Sequence, residues 1–468
     1  MSYQTAVAQM FALGHELAQT PAHKFDLAHM RVLLESLDRP ERRFPSVLIA
    51  GTNGKGSTAA TLASILRASG LQTALYTSPH LIRLNERVRI DEKEIGDDDF
   101  ASLHGEVDRI AESLVENGSL PWHPSFFEMM TAIAFVYFAR EKVDLAVLEV
   151  GMGGRLDATN VVEPRVSVIT DISLDHQKFL GNTVSEIARE KAGIIRPGGA
   201  VVTLPQQPEA NDVIGNTILA LGARPVIAVP YVPPVSPESA VYLAKTANQP
   251  TAEDAESAEK TGGTIYRYPL QVMGEQILIE TPLLGRHQLR NVALAIAAAV
   301  ELSEQGFGAV TPKTIERGIR ETRWPGRFQV IPGRRNWPEI VLDVAHNPAG
   351  TWALRSALSE RYEGRSLILV FGALRDKAIS EMAEILFPLA DCVIATRPNN
   401  PRAAGPEEIQ RMASRTGTIV EGEEDVTIAL NRARSLANDA TVLVITGSIY
   451  LVGEAMQALS LATEGTSS

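Results

Sequence analysis

Short apolar runs alternate with helix-like segments along most of this chain, and that alternation leaves few folds open. Val47–Ala50, Thr73–Tyr76, Leu145–Val150, Val166–Thr170 and Ala200–Leu204 are rich in Val, Ile and Leu and are bounded by Gly, Asp, Ser or Pro. They read as buried strands. Between them stand helical patterns such as "STAATLASILRAS" and "FFEMMTAIAFVYFAREK". Strand–helix alternation implies an α/β fold with a parallel sheet covered on both faces.

The pattern changes after about Pro205, where the chain turns Pro-, Ala- and polar-rich as far as Gly263. The piece "TANQPTAEDAESAEKTGG" reads as an exposed insertion. Alternating runs around Gly274 then suggest an antiparallel hairpin, and "NVALAIAAAVELSEQG" a strongly apolar helix closed by Gly306. "ETRWPGRFQV" breaks helix at Pro325 and Gly326. Beyond it the alternation restarts, with strands at Ile340–Val344, Leu367–Phe371, Cys392–Ala395 and Val442–Thr446. Two domains are therefore expected, residues 1–323 and 324–468. The tail from about Thr463 reads as frayed.

A chain of 468 residues with 45% hydrophobic and 21% charged residues has material for two cores. Its net charge of −12 argues against a general nucleic-acid binder. The single cysteine, Cys392, permits no internal disulfide and no cysteine metal cluster. The first residues lack a basic start and carry polar residues among their apolar positions, unlike a signal peptide. No apolar run approaches a membrane span. A cytoplasmic, monomeric protein with no nucleic-acid or membrane partner is the expectation.

Four stretches carry chemistry. "VLIAGTNGKGST" is a strand running into a glycine-rich turn and then a helix, an arrangement that aims backbone N–H groups and a helix dipole at one point. Gly51, Gly54 and Gly56 let the backbone approach an anion. Lys55 adds a point charge, and Ser57 or Thr58 a hydroxyl for a phosphate or a Mg²⁺ ion. In "LAVLEVGMGGRLDATN", Glu149 closes a strand where open sheets bind ligands; it can hold Mg²⁺ or cap the next turn. In "ITDISLDHQKFLGNTVSEIAREKAGIIRPG", Asp171, Asp175 and His176 follow a third strand end, where a histidine can be ligand or scaffold. "SEIAREKAGI" reads as a helix entered at Ser185, with Lys191 near its C-terminus, where a cation has an ordinary electrostatic reason to be. In "EIVLDVAHNPAG", Asp343 can bind a ribose hydroxyl pair or cap the Asn-Pro turn, with His346 and Asn347 beyond it.

With these stretches in hand, the chain resembles the folylpolyglutamate synthase and dihydrofolate synthase family of Mur-ligase-like ATP-dependent amide ligases. The resemblance runs from about Phe25 to Gly447. It rests on "GTNGKGST", "YTSPHLIRLNERVRI", "FFEMMTAIAF", "LEVGMGGRLDATN", "DHQKFLGNTVSEIAREKAGIIRPG", "GRHQLRN", "WPGRFQ", "LDVAHNP" and "FGALRDK", in the family's order. The family's own loop is G-T-N-G-K-G-[ST], which accounts for the departure from the strict G-x-x-x-x-G-K-[ST] spacing. The resemblance implies a P-loop ATPase-type N-terminal domain and a smaller Rossmann-like C-terminal domain, with ATP between them. It implies that Gly54, Lys55, Gly56 and Ser57 cradle ATP phosphates, and that Asn291, Arg327, Asp343 and His346 contact the nucleotide. Ser78, Glu149 and His176 would hold Mg²⁺, and Lys191 matches a position that the family carbamylates into a further metal ligand. Lys55, Lys191 and His176 would be the catalytic set. The folate or dihydropteroate would lie near Phe25, Asp26 and Leu27, near Ser125, Phe127 and Glu128, and near Leu156, Asp157 and Ala158. L-glutamate would be the amine.

Two other readings differ in class or substrate. A P-loop regulatory NTPase would need an Asn-Lys-x-Asp base-recognition motif, which the chain lacks. A cell-wall Mur ligase would act on a nucleotide-linked peptide, but the Lys-Gly-Ser-Thr loop and "SPHL…NER" resemble the folate branch.

Overall fold

The structure, a computed structural model, describes residues 1–14, 27–234, 265–333 and 337–464. Contacts divide the chain into two units. One holds Met1–Pro233, Pro269–Ile279 and Arg290–Thr322; the other holds Glu280–Leu289 and the chain from Arg323 onward, with residues 234–268. The insertion expected at "TANQPTAEDAESAEKTGG" lies outside the described residues, as do the last four of the tail; Thr463 and Glu464 end a helix.

The first unit is built on an eight-stranded sheet. Its strands are β1 (Ser46–Ala50), β2 (Thr73–Tyr76), β3 (Val88–Ile90), β4 (Lys93–Glu94), β5 (Leu145–Glu149), β6 (Val166–Ile169), β7 (Ala200–Thr203) and β8 (Arg224–Ile227). Their order is β4-β3-β2-β5-β1-β6-β7-β8, with parallel pairs except at one edge, where β3 lies antiparallel to both β2 and β4. β1, β2, β5 and β6 are buried throughout, as apolar strands covered on both faces must be. β8 escaped the sequence reading. It is an edge strand with mostly exposed residues and a proline, so it carries no apolar run. The stretch from Pro205 therefore begins as part of the fold, with a helix at Pro208–Leu221 before β8.

The helix Lys55–Ala68 is buried almost all round because the helix Pro312–Glu321 lies across it. Ser64 Oγ donates to the Gly318 carbonyl at 2.8 Å, and Arg67 pairs with Glu321 at 2.9 Å. At Gly318 the two backbones meet so closely that a Cβ would run into Ile65 main-chain atoms.

A hairpin of β9 (Tyr266–Val272) and β10 (Glu275–Thr281) turns at Met273 and Gly274, both with positive φ, as a two-residue hairpin turn requires. The helix Arg286–Glu304 follows. The second unit carries a six-stranded sheet ordered β11-β12-β16-β13-β14-β15. Its members are β11 (Gln329–Ile331), β12 (Glu339–Leu342), β13 (Leu367–Phe371), β14 (Cys392–Thr396), β15 (Val420–Glu423) and β16 (Val442–Thr446), with only β11 antiparallel. Among the described residues no helix is long and apolar enough to cross a membrane.

Gly318→Val should cost about 2 kcal/mol of stability, within the range for overpacking a filled contact. Gly318→Ala should cost less, since alanine regains roughly 1 kcal/mol of helix propensity. Calorimetric unfolding checks both; an unchanged midpoint in the valine variant would mean that these helices can part freely.

Candidate active site

Strands β2, β5, β1 and β6 are neighbours and parallel, so their C-terminal ends share one edge. Ile49 stands beside Glu149, and Ala50 beside Ile169. The three chemistry-bearing loops of this unit, after β1, β5 and β6, leave from that edge, where open α/β sheets bind ligands, as does the loop after β2 that carries Ser78.

The loop after β1 is stitched to the loop after β6. The Asp171 carbonyl accepts the N–H groups of Thr52 and Asn53 at 2.9 and 3.1 Å. The Thr52 hydroxyl donates to the Ser173 carbonyl at 3.0 Å, and the Asn53 amide to Ser173 Oγ at 3.2 Å. Gly54 is the N-cap of the helix Lys55–Ala68 with φ of 89°. No side-chain cap closes this helix N-terminus, where the helix dipole favours an anion. Space beside Gly54 is taken by the Asn291 carboxamide, which sits where a Cβ would be. Ser57 and Thr58 are buried in the first turn, and the Thr58 hydroxyl has no protein partner.

Two ammonium groups meet at this loop. Lys55 Nζ donates to the carbonyls of Gly51 and Thr52 at 3.1 Å each. Lys191 Nζ donates to the same Gly51 carbonyl at 2.6 Å. Lys191 is 4% exposed. Burial, and then the charge of Lys55, bring its pKa down to about 7 against the pull of Asp175 and Asp157. Its helix is Val184–Ala192, capped by Thr183 in a capping box with Glu186. The start expected at Ser185 is thus corrected: the Thr183 hydroxyl accepts the Glu186 amide, and that pair defines the helix start.

Glu149 Oε2 accepts the Ser78 N–H at 3.1 Å, tying the ends of β5 and β2. Nearby, Arg87 Nε donates to His80 Nδ1 at 2.8 Å. Burial and the Arg87 charge take the His80 pKa down to about 3, so the ring is neutral and carries its proton on Nε2. His176 has a left-handed backbone at the N-cap of Gln177–Leu180, with its N–H on Asp175 Oδ1 at 2.8 Å. Its ring is partly exposed.

Ser125 caps the helix Phe126–Glu141 in a capping box with Glu128. Glu128 Oε1 also meets His29 Nδ1 at 3.0 Å. Burial raises the Glu128 pKa, but the bonds from His29 and Ser125 outweigh it and hold the carboxyl below its usual range. The Phe127 ring lies against Gly151, beyond β5. Asp157 caps the turn Ala158–Val161 and accepts the Met152 and Thr159 amides at 3.0 Å each. Leu156 is half-buried beside it, and Leu27 begins the helix Leu27–Ser36. Phe25 and Asp26 lie outside the described residues.

In the second unit, Asp343 follows β12 and acts as a cap. Its oxygens accept the Phe328 and Ala345 amides at 2.8 Å each. Burial pushes its pKa up against the charge of Arg327 and these two bonds. His346 Nδ1 meets the Val344 carbonyl at 2.9 Å.

Residues that the sequence reading passed over include Thr52, Ser173, His29, Arg87 and Arg290. Each acts through a partner far along the chain, apart from the local Arg87–His80 pair in "SPHLIRLNER", so spacing carried no signal. Gly54→Ala should abolish binding of a non-hydrolysable ATP analogue by calorimetry while far-UV circular dichroism stays native, because the new Cβ strains the cap and strikes Asn291. Retained binding would show that this turn is not where the nucleotide sits.

Two family models match the chain: the Mur ligase middle domain over residues 49–217 and the Mur ligase glutamate ligase domain over residues 326–449. The dihydrofolate synthase/folylpolyglutamate synthase of Bacillus subtilis is 33% identical over 92% of this chain and 93% of its own length. The folylpolyglutamate synthase of Lacticaseibacillus casei is 33% identical over 98% of this chain and 99% of its own. The crystal structure of the Mycobacterium tuberculosis folylpolyglutamate synthase complexed with ADP and AMPPCP aligns with a TM-score of 0.78 and 30% identity, covering 97% of this chain and 98% of that one. With a phosphate-type loop at the shared edge of β2, β5, β1 and β6, and relatives matched along nearly their full length, this chain belongs to the folylpolyglutamate synthase and dihydrofolate synthase family of Mur ligases.

Proposed function

We propose that this chain is an ATP-dependent acid–amino-acid ligase that adds L-glutamate to tetrahydrofolates, and also to dihydropteroate, through an acyl phosphate. The observation that carries the reading is the loop from Gly51 to Ser57. It joins a helix N-terminus with no side-chain cap, the ammonium of Lys55, the amine of Lys191 and the end of a buried parallel strand. Such a site suits a polyphosphate. A carboxylate is a poor electrophile, so ATP must activate it. The substrate carboxylate attacks the γ-phosphorus, ADP leaves, and the glutamate amine then displaces phosphate from the acyl carbon. Positioning and charge stabilisation do most of this work.

Lys55 is assigned to the transferred phosphoryl group, and the amides of Gly54, Lys55, Gly56 and Ser57 to the phosphates. Asn291, packed on Gly54, is assigned to the nucleotide as well; the family resemblance adds Arg327, Asp343 and His346 as nucleotide-binding residues. The pterin-bearing substrate is assigned to the wall formed by Ser125, Phe127, Leu156 and Ala158. Glu128 and Asp157 hold that wall from within, since their oxygens are engaged by protein donors.

Among the described residues no three His, Cys, Asp or Glu side chains converge as a metal cage. Magnesium needs none, because it binds through one or two carboxylates together with substrate phosphates and waters. Glu149 with Ser78, His176 and a carbamate on Lys191 fit that manner of binding. When bound, Mg²⁺ would neutralise charge on the phosphates. Lys191 is suited to carbamylation because a pKa of about 7 leaves much of the amine neutral and nucleophilic at physiological pH. The proposal includes a monomeric, cytoplasmic enzyme.

The test is to offer ATP and glutamate with dihydropteroate or with tetrahydrofolate and to identify products by mass. Glutamyl product from only one acceptor would remove the other from the proposal; product from neither, or phosphate release without an acceptor pair, would overturn the reading. Lys55→Ala should cut turnover roughly a hundredfold or more, the loss typical of removing a key charge-stabilising donor. Lys191→Ala should be impaired and partly restored by acetate; full activity without acetate would remove the carbamate.

A further inference from the structure

Arg290 lies in the helix Arg286–Glu304, one residue before Asn291. Its guanidinium grips the Asp171 carboxylate, with Nη2 to Oδ1 at 2.6 Å and Nε to both oxygens at 3.2 Å. Nη2 also donates to the Pro205 carbonyl at 3.0 Å, which fixes the fork at a third point. Asp171 is the residue whose carbonyl holds the Thr52 and Asn53 amides. The peptides around it are anchored too: Ile172 N–H donates to Gln206 Oε1 at 3.0 Å, and Gln206 Nε2 to the Thr170 carbonyl at 3.1 Å. The loops after β1, β6 and β7 are thus laced together, and Arg290 ties the lacing to the helix whose next residue packs on Gly54.

An isolated ion pair of this exposure would add little to stability. This one is bidentate and joined to two consecutive loop amides, so its value lies in geometry. We infer that Arg290 is a positioning residue for the phosphate loop, holding Asp171 so that its carbonyl keeps Thr52, Asn53 and the amides after them in register for a triphosphate. The inference rests on the nucleotide reading of that loop.

The experiment compares steady-state constants for the full-length enzyme and AMPPCP binding by calorimetry in Arg290→Ala, Arg290→Lys, Asp171→Asn and the double variant Arg290→Ala/Asp171→Asn. Arg290→Ala should raise KM for ATP and the AMPPCP dissociation constant roughly two- to fivefold, the range that a partly exposed pair supplies. The KM values for glutamate and folate should stay put. Arg290→Lys should fall between, because lysine keeps the charge and loses the fork. The double variant should be no worse than Arg290→Ala alone, since both substitutions break one interaction.

An unchanged AMPPCP affinity in Arg290→Ala would overturn the inference, as would additive losses in the double variant. A lowered thermal midpoint with all three KM values rising together would also overturn it, reducing the pair to general scaffolding. Should Arg290→Ala fail to fold, Arg290→Lys and Asp171→Asn carry the same comparison. Lys55→Ala, measured alongside, separates the two levels. If Lys55→Ala still binds AMPPCP as the parent does, the loop reading fails and this inference with it. If Lys55→Ala loses binding and Arg290→Ala does not, only this inference fails.

Discussion

Two ammonium groups on one carbonyl oxygen, that of Gly51, set the electrostatics of the first unit. Lys55 reaches it from the helix that the loop begins, and Lys191 from the end of a helix more than a hundred residues later. Burial, and second to it the charge of Lys55, weaken the proton affinity of Lys191. An arriving polyphosphate would offset the Lys55 charge by supplying negative charge. On the proposed reading, the same contact serves an anion and leaves a reactive amine.

The buried carboxylates near the two strand edges show how environment separates roles. Glu128 is held in its charged form by His29 and Ser125, while Asp157 and Asp343 are pushed the other way by burial although each accepts backbone amides. Their hydrogen bonds run inward, to turns that shape the edges. Glu149 is tied to the Ser78 amide, where β5 and β2 end. An overall charge of −12 is no obstacle to binding an anion here, because local cations and oriented amides act within about 10 Å, the screening distance at ordinary ionic strength.

How much could be read without coordinates follows from the range of each signal. The apolar runs Thr73–Tyr76, Leu367–Phe371 and Val442–Thr446 end where the strands end, because burial on both faces writes itself into consecutive residues. The strands β3, β4, β8, β11 and β15 were silent, since all are short and partly exposed, and all but β3 are edge strands. The phosphate loop was legible because its parts are contiguous: strand, glycines, lysine and hydroxyl follow one another along the chain. Asp343 was open between capping the Asn-Pro turn and ligand binding; its oxygens accept the Phe328 and Ala345 amides, while Asn347 itself caps the helix after that turn.

By itself, then, the sequence determined the α/β class, the loop that follows β1, the strand ends that carry Glu149, Asp171 and His176, and the family. All of these depend on local pattern or on motifs of consecutive residues. Only the tertiary structure decided that Lys191 shares a carbonyl with Lys55, that Asn291 fills the space beside Gly54, and that Arg290 holds Asp171. Those pairings join residues a hundred or more positions apart. Hydrogen bonds and close contacts of that range leave no periodicity in a sequence; they exist only once the parallel sheet has brought its strand ends to one edge.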